Sequence, residues 1–321
     1  MEILFLGTSS GTPTKQRNVS GLAIRKANSK AWCLVDCGEG TQHQLLETNL
    51  TLKNLQAIFI THIHGDHCYG LPGLLASAAM QGRDKALWLV GPKKIQQYIE
   101  AVMKTTDLWL GFDIKFVDVE GLSDAFQVAE FEVDAVRLSH RVPSYAYSFT
   151  EETTPGKLNQ EKLKSDGIPA GPTWGKIQCG EDVVLDDGRK VIAEDYLLPP
   201  ETPRRIIVSG DNDAPELLSR VAGQASVLVH ESTYTQEHLD KVGSGPQHSS
   251  AKIVAEFAET CHLPNLVLTH FSPRYVVNGD PGHSINDIEE EARSIYSGNL
   301  FLANDLECYE LKKDGLLVRT K

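Results

Sequence analysis

The chain has 321 residues, 41% of them apolar and 23% charged, a balance that supports a sizeable core and excludes disordered, collagen-like and fibrous classes. Lys and Arg number 31 against 43 Asp and Glu, a formal net charge of -12, so any contact with a polyanion must rest on a local patch rather than on bulk charge. No stretch approaches the roughly 18 consecutive apolar residues of a membrane span, and the opening Met1-Glu2-Ile3-Leu4-Phe5-Leu6-Gly7 lacks the basic region and long apolar run of a secretory leader, so a cytoplasmic protein is expected.

From the N-terminus onward, short apolar runs between turn residues predict strands at Ile3 to Leu6, Trp32 to Val35, Ala57 to Ile60, Leu87 to Val90 and Val133 to Leu138. The series continues at Ile206 to Val208, Val227 to Val229, Leu266 to Leu268 and Leu300 to Leu302. Helical spacing falls between them, at Gly70 to Met80, Lys93 to Met103, Pro215 to Ala222, Ala251 to Thr260 and Asn286 to Ile295, which makes a mixed α/β chain. Residues 151–200 break this rhythm with Pro155, Gly156, Gly167, Pro169, Gly171 and Pro172, and read as an insertion into one domain that spans 1–321. The six cysteines form no Cys-x-x-Cys pair and read as separate reduced thiols.

Chemistry concentrates in Thr61-His62-Ile63-His64-Gly65-Asp66-His67, directly after a predicted strand. His62 and His64 alternate to one side of extended chain, and a turn at Gly65 lets Asp66 and His67 face a second position. Imidazole and carboxylate suit Zn²⁺, with Mn²⁺, Fe²⁺ or Co²⁺ as alternatives. Four ligands in six residues exceed what one catalytic ion needs beside its water, so two ions are expected. His140, Asp211 and His270 each follow a predicted strand and complete the set. His62, His64 and His140 are assigned to one ion, Asp66, His67 and His270 to the other, and Asp211 to a bridge between them. Lys15 and Arg17 lie in a polar loop after the first strand, where an ammonium and a forked guanidinium suit phosphate contact.

These residues, together with Phe5-Leu6-Gly7-Thr8, Pro13-Thr14-Lys15-Gln16-Arg17-Asn18, Asp36-Cys37-Gly38-Glu39-Gly40-Thr41-Gln42, His230-Glu231-Ser232-Thr233 and His248-Ser249-Ser250, resemble the short bacterial form of the ribonuclease Z (RNase BN) family of the metallo-β-lactamase superfamily. The resemblance covers nearly the whole chain. It implies a four-layer αββα sandwich with an inserted protruding arm, two zinc ions per subunit, a homodimer, and removal of the 3′ trailer from precursor tRNA. It further implies Asp66 as proton acceptor for the attacking water, and His248 as proton donor to the leaving oxygen with Glu231 orienting it. His230 is expected to support the site from behind. The arm, 151–200, is expected to grip tRNA held at the other subunit's site through Gly171-Pro172 and through Lys157, Lys162 and Lys164, where the arm's positive charge is concentrated.

Overall fold

Alternation along the strands decides the layering. In the strand Leu55–Phe59, Ala57 and Phe59 join one core cluster, while Ile58, with Ile60 just beyond, joins another. A sheet apolar on both faces needs a cover on each. The computed structural model describes residues 1–122, 124–152, 157–198, 203–277 and 279–320. Its chain divides into two compact units, Met1–Glu151 with Arg204–Lys321, and Glu152–Pro203.

In the larger unit, two sheets supply the inner layers. Among the described residues the first has eight strands, running across the sheet as Leu317–Arg319, Cys308–Leu311, Glu2–Gly7, Gly21–Arg25, Trp32–Val35, Leu55–Phe59, Leu87–Gly91 and Ile114–Asp118. Pairing is antiparallel as far as Trp32–Val35 and parallel beyond it. The second has seven, with Asn299–Leu302, Asn265–Thr269, Val227–Glu231 and Arg205–Val208 parallel, followed by the antiparallel Ser144–Glu151, Phe131–Leu138 and Phe126–Val128. Phe5, Val35 and Phe59 of one sheet share a buried cluster with Tyr147, Phe149, Val208 and Val229 of the other. On the outer faces, Leu71–Met80 and Lys93–Thr105 pack on the first sheet, and Ala251–Thr260 and Ile285–Arg293 on the second. The result is the four-layer αββα sandwich.

The smaller unit has a core of its own, in which Leu163, Ile168, Ile177, Val191 and Ala193 are buried. Helices Gln160–Ser165 and Pro172–Gln178 and the hairpin Val183–Val184 with Lys190–Val191 enclose it. Of the insertion's expected residues, Pro155, Gly156 and the boundary Pro200 lie outside the described residues. No described helix is long and apolar enough to cross a membrane.

Candidate metal centre

The centre forms where strands end. Val35 and Phe59 are in register on neighbouring parallel strands, so Asp36 and Thr61, just past them, meet: Thr61 N–H donates to Asp36 Oδ1 at 2.8 Å. His64 then caps a single helical turn, Gly65–Cys68, whose first turn carries Asp66 and His67. Gly38 lets the Asp36 loop touch this turn, because a Cβ there would lie 2.3 Å from the Asp66 carbonyl oxygen. In the second sheet, Asp211, Glu231 and His270 lie at the carboxyl ends of parallel strands, the edge where open α/β sheets place their ligands. Asp36 and His270 both sit at φ 58°, a strained position for a side-chain-bearing residue that the surrounding contacts hold.

Two ligand groups take up the expected residues, beside a third arrangement of Asp211, His248 and His270. His62 Nε2, His64 Nδ1, His140 Nε2 and Asp211 Oδ2 form one, with separations of 3.1 Å (His62 to His64), 3.2 Å (His64 to His140), 3.5 Å (Asp211 to His62) and 3.7 Å (Asp211 to His140). Asp66 Oδ2, His67 Nε2 and His270 Nε2 form the other, 3.2–3.5 Å apart. Asp211 Oδ1 stands 3.4 Å from His67 Nε2 and 3.3 Å from His270 Nε2. Each oxygen of Asp211 therefore faces a different group.

Hydrogen positions follow from the partners. His67 Nδ1 faces Asp36 Oδ2 at 2.7 Å, and His140 Nδ1 faces the Gln247 carbonyl at 2.9 Å, both acceptors only, so each Nδ1 donates. Thr61 Oγ1 gives its one hydrogen to Asp36 Oδ2 and so accepts from His62 Nδ1 at 3.0 Å. Thr233 Oγ1 likewise donates to Glu231 Oε2 at 2.6 Å and accepts from His270 Nδ1 at 3.0 Å. In the neutral rings all four Nε2 atoms are bare lone pairs pointing inward. Bare nitrogens 3.2 Å apart repel unless something positive lies between them. Donors 2.0–2.2 Å from one tetrahedral ion stand about 3.3–3.6 Å apart. The residues present fit two divalent cations.

In the metal-free chain, burial opposes charge on His67, but Asp211, Asp66 and Asp36 outweigh it and push its pKa up to about 10. His62, buried among other histidines, is driven well below its ordinary value. Burial likewise opposes charge on Asp66, yet His67, His270 and the Gly11 N–H, which donates to Oδ2 at 2.7 Å, hold its carboxyl well below the usual range.

Beside the ligands, Glu231 is 1% exposed and accepts five hydrogen bonds, from the N–H groups of Asn212, Ser249 and Thr233, from Thr233 Oγ1, and from His248 Nδ1 at 2.9 Å. Burial works against charge on His248, but Glu231 raises its pKa to about 9. With Nδ1 committed to Glu231, His248 offers Nε2 as its outward nitrogen, although Nδ1 also comes within 3.8 Å of Asp211. His230 lies behind the site, donating to the Glu231 carbonyl and accepting from Asn212 Nδ2.

Arg17 corrects the sequence expectation. It is 7% exposed, its Nη1 donates to Thr8 Oγ1 and the Ala303 carbonyl at 2.7 Å each, its Nη2 donates to Asn304 Oδ1, and its guanidinium lies over Phe271. A side chain so engaged pins the loop from inside and is not offered to a phosphate. Lys15 remains exposed. In the smaller unit Lys157, Lys162 and Lys164 are exposed, Lys162 Nζ donating to the Asp195 carbonyl, and Gly171 caps the helix that Pro172 begins. Asp36, Thr61, Thr233, Asn212 and Gln247 were not among the expected site residues. Asp36, Thr61 and Thr233 lie within motifs named above, which is their one sequence signal, while Asn212 and Gln247 are found through partners distant in the chain.

A family model described as Anti-Pycsar protein Apyc1 matches residues 1–154. A ribonuclease Z of Marinobacter nauticus is 52% identical over 316 residues, covering 98% of this chain and 97% of its own. One from Pseudomonas putida strain GB-1 is 48% identical over 317 residues, covering 99% of each. Among solved structures, human tRNase Z, short form, is similar with a TM-score of 0.66 at 26% identity, covering 97% of this chain and 100% of that one. The metallo-β-lactamase fold protein YhfI of Bacillus subtilis, with a TM-score of 0.65 at 16% identity over 96% of this chain and 98% of its own, shares the fold.

Proposed function

The chain belongs to the ribonuclease Z family and has the metallo-β-lactamase fold, and we propose that it is an endoribonuclease that hydrolyses precursor tRNA at its 3′ trailer. The tRNA keeps a 3′-hydroxyl and the trailer leaves with the phosphate. The observation that carries this reading is the convergence of four bare imidazole nitrogens on the two oxygens of Asp211. His62, His64 and His140 would hold one Zn²⁺ and Asp66, His67 and His270 a second, with Asp211 shared; Mn²⁺ and Co²⁺ suit the same donors. Two such ions supply a more acidic water and neutralise phosphate oxygens as charge develops.

The protein's own groups do the rest. Asp66, held by Gly11 through Oδ2, keeps Oδ1 for the proton of the attacking water. A carboxylate with so low a pKa is a weak base, so it takes that proton only as the new P–O bond forms. His248, protonated at neutral pH because Glu231 faces its Nδ1, gives a proton from Nε2 to the departing 3′-oxygen. His230 steadies the Glu231 peptide directly, and Asn212, whose own N–H donates to the Glu231 carboxylate, from the other nitrogen. We assign Lys15, exposed on the loop that Gly11 ties to Asp66, to a backbone phosphate. We assign Lys157, Lys162, Lys164 and the Gly171-Pro172 turn to the grip on tRNA, supplied within a cytoplasmic homodimer by one subunit to the other's site.

Incubation with end-labelled precursor tRNA, with and without a 3′-terminal CCA and alongside elemental analysis, tests the reading. The expected result is endonucleolytic release of the trailer by protein carrying two cations. Removing the charges of Lys157, Lys162 and Lys164 should weaken tRNA cleavage and flatten its salt dependence, and mixing that variant with His64→Ala should restore cleavage in heterodimers. Hydrolysis of small phosphodiesters with no cleavage of precursor tRNA would refute the assignment.

A further inference from the structure

Arg274 is an arginine near the centre that the metal chemistry does not use. It follows the ligand His270 by four residues, its Nε donates to Ser272 Oγ at 3.0 Å, and its guanidinium lies 5.2 Å from the centroid of the Tyr234 ring. That ring, in a residue 9% exposed, stands 6.1 Å from the ring of His248. The order outward from the acid is His248, Tyr234, Arg274.

Arg17 and Arg274 differ in what their forks can still do. Those of Arg17 are spent on Thr8, Ala303 and Asn304. Among the described residues no acceptor engages Nη1 or Nη2 of Arg274, and the side chain is half-exposed, so four N–H donors remain for a ligand. An aromatic face beneath the guanidinium and a hydrogen bond at Nε fix its orientation in advance, which lowers the entropy lost when an anion binds. Burial raises the pKa of Tyr234 while the charges of Arg274 and Arg141 act against it, placing both cations near this rim. Arg141 is exposed and directly follows the ligand His140.

We propose that Arg274, seated on Tyr234, holds the backbone phosphate immediately 5′ of the nucleotide whose 3′-oxygen leaves. The inference rests on the reading of the centre as a precursor-tRNA endonuclease with His248 as its acid. If the 3′-oxygen departs toward His248, the nucleotide bearing it runs out past Tyr234, and its 5′-linked phosphate is the next anion along the strand. A forked guanidinium matches two phosphate oxygens, and the contact carries no base preference.

The test is a cycle between enzyme and substrate. Wild type, Arg274→Gln and Arg274→Ala are each assayed on precursor tRNA and on the same RNA carrying one neutral methylphosphonate at that phosphate, with cation content and thermal stability measured for every protein. On natural RNA, Arg274→Gln should lose about ten- to a hundred-fold in kcat/KM, mostly through KM, and its salt slope should fall by about one. Wild type should lose a similar factor on the methylphosphonate RNA, and the variant should lose little more there, since the contact is already gone. Losses that multiply, or an Arg274→Gln enzyme within twofold of wild type on natural RNA, would overturn the proposal while leaving the endonuclease reading intact. A loss that tracks lowered cation content or stability would make Arg274 structural and overturn it too. Wild-type protein that fails to release the trailer overturns that reading, and this inference with it.

Discussion

Replacing Asp36 by Asn should weaken both cation sites at once, although Asp36 is predicted to bind neither ion. Its Oδ2 accepts from His67 Nδ1 at 2.7 Å and from Thr61 Oγ1 at 2.8 Å, and Thr61 Oγ1 in turn accepts from His62 Nδ1. One carboxylate oxygen therefore fixes a histidine of each group. Asn is the chosen replacement because it tolerates the left-handed backbone at φ 58° as well as Asp does. If the amide keeps its oxygen on Thr61 N–H, its NH₂ faces two donors. His67 must then move its proton to Nε2 and lose the lone pair that faces the centre, or lose the hydrogen bond altogether. A hydrogen bond to a charged group contributes about 1.5–3 kcal/mol, equivalent to roughly 10- to 150-fold in affinity. Loss of a carboxylate behind a metal-binding histidine typically costs about 10- to 100-fold. Competition of the apo-protein against a chromophoric chelator for Zn²⁺ measures both sites. Affinities unchanged within twofold in a protein of normal thermal stability would refute the relay. A loss confined to one site would show that Thr61 does not transmit it.

Asp211→Ala removes the oxygens shared by the two groups and should leave fewer than two cations per chain by elemental analysis; unchanged stoichiometry would refute the bridge. His248→Ala should slow precursor-tRNA cleavage by about 10²-fold or more with cations retained, and should slow a nitrophenyl phosphodiester far less because its leaving group needs no proton. Equal losses on the two would mean that His248 positions rather than protonates. Arg17→Ala leaves the buried acceptors Thr8 Oγ1 and the Ala303 carbonyl short of a donor, at about 1–3 kcal/mol for each one left unsatisfied, and removes the half-buried contact to Asn304 Oδ1. Chemical denaturation should therefore show a clear loss of stability, and a variant as stable as wild type with weaker tRNA binding would return Arg17 to the phosphate role.

What could be read from sequence followed from periodicity. Ala57 to Ile60, Ile206 to Val208 and Val227 to Val229 are short, rich in β-branched residues and apolar on both faces, as buried parallel strands are, and the ligands or positioning residues of the centre follow them closely. The strand Ser144–Glu151 escaped for the opposite reason. Its Ser-Tyr-Ala-Tyr-Ser-Phe-Thr run looks half polar, yet every one of those seven residues is buried because strands lie on both sides and layers cover both faces. Helix Thr41–Leu46 is six residues long and has no side-chain cap, so it carried no start signal. Arg17 was misjudged because local polarity says nothing of partners such as Asn304, 287 residues along the chain, that take its guanidinium inside.

Four buried or half-buried carboxylates meet at this centre, and they fall into two kinds. Glu231 and Asp36 are saturated by donors from their own surroundings, five for the first and three for the second. Saturated anions of this sort orient other groups and need no further partner. Asp211, 3% exposed, has around its oxygens the Nε2 atoms of His62, His67, His140 and His270 at 3.3–3.7 Å, and Asp66 shares two of these, from His67 and His270, beside its single backbone donor. A buried carboxylate surrounded by lone pairs is unstable unless protons or cations fill the gap. Protons can do so, as the raised pKa of His67 records, but each proton placed there removes a lone pair from the centre. Divalent cations would satisfy both oxygens of Asp211 and the converging nitrogens together. It is this contrast in saturation that argues for Asp211 and Asp66 as ligands and for Glu231 and Asp36 as positioning residues, although all four have the right chemistry to be either.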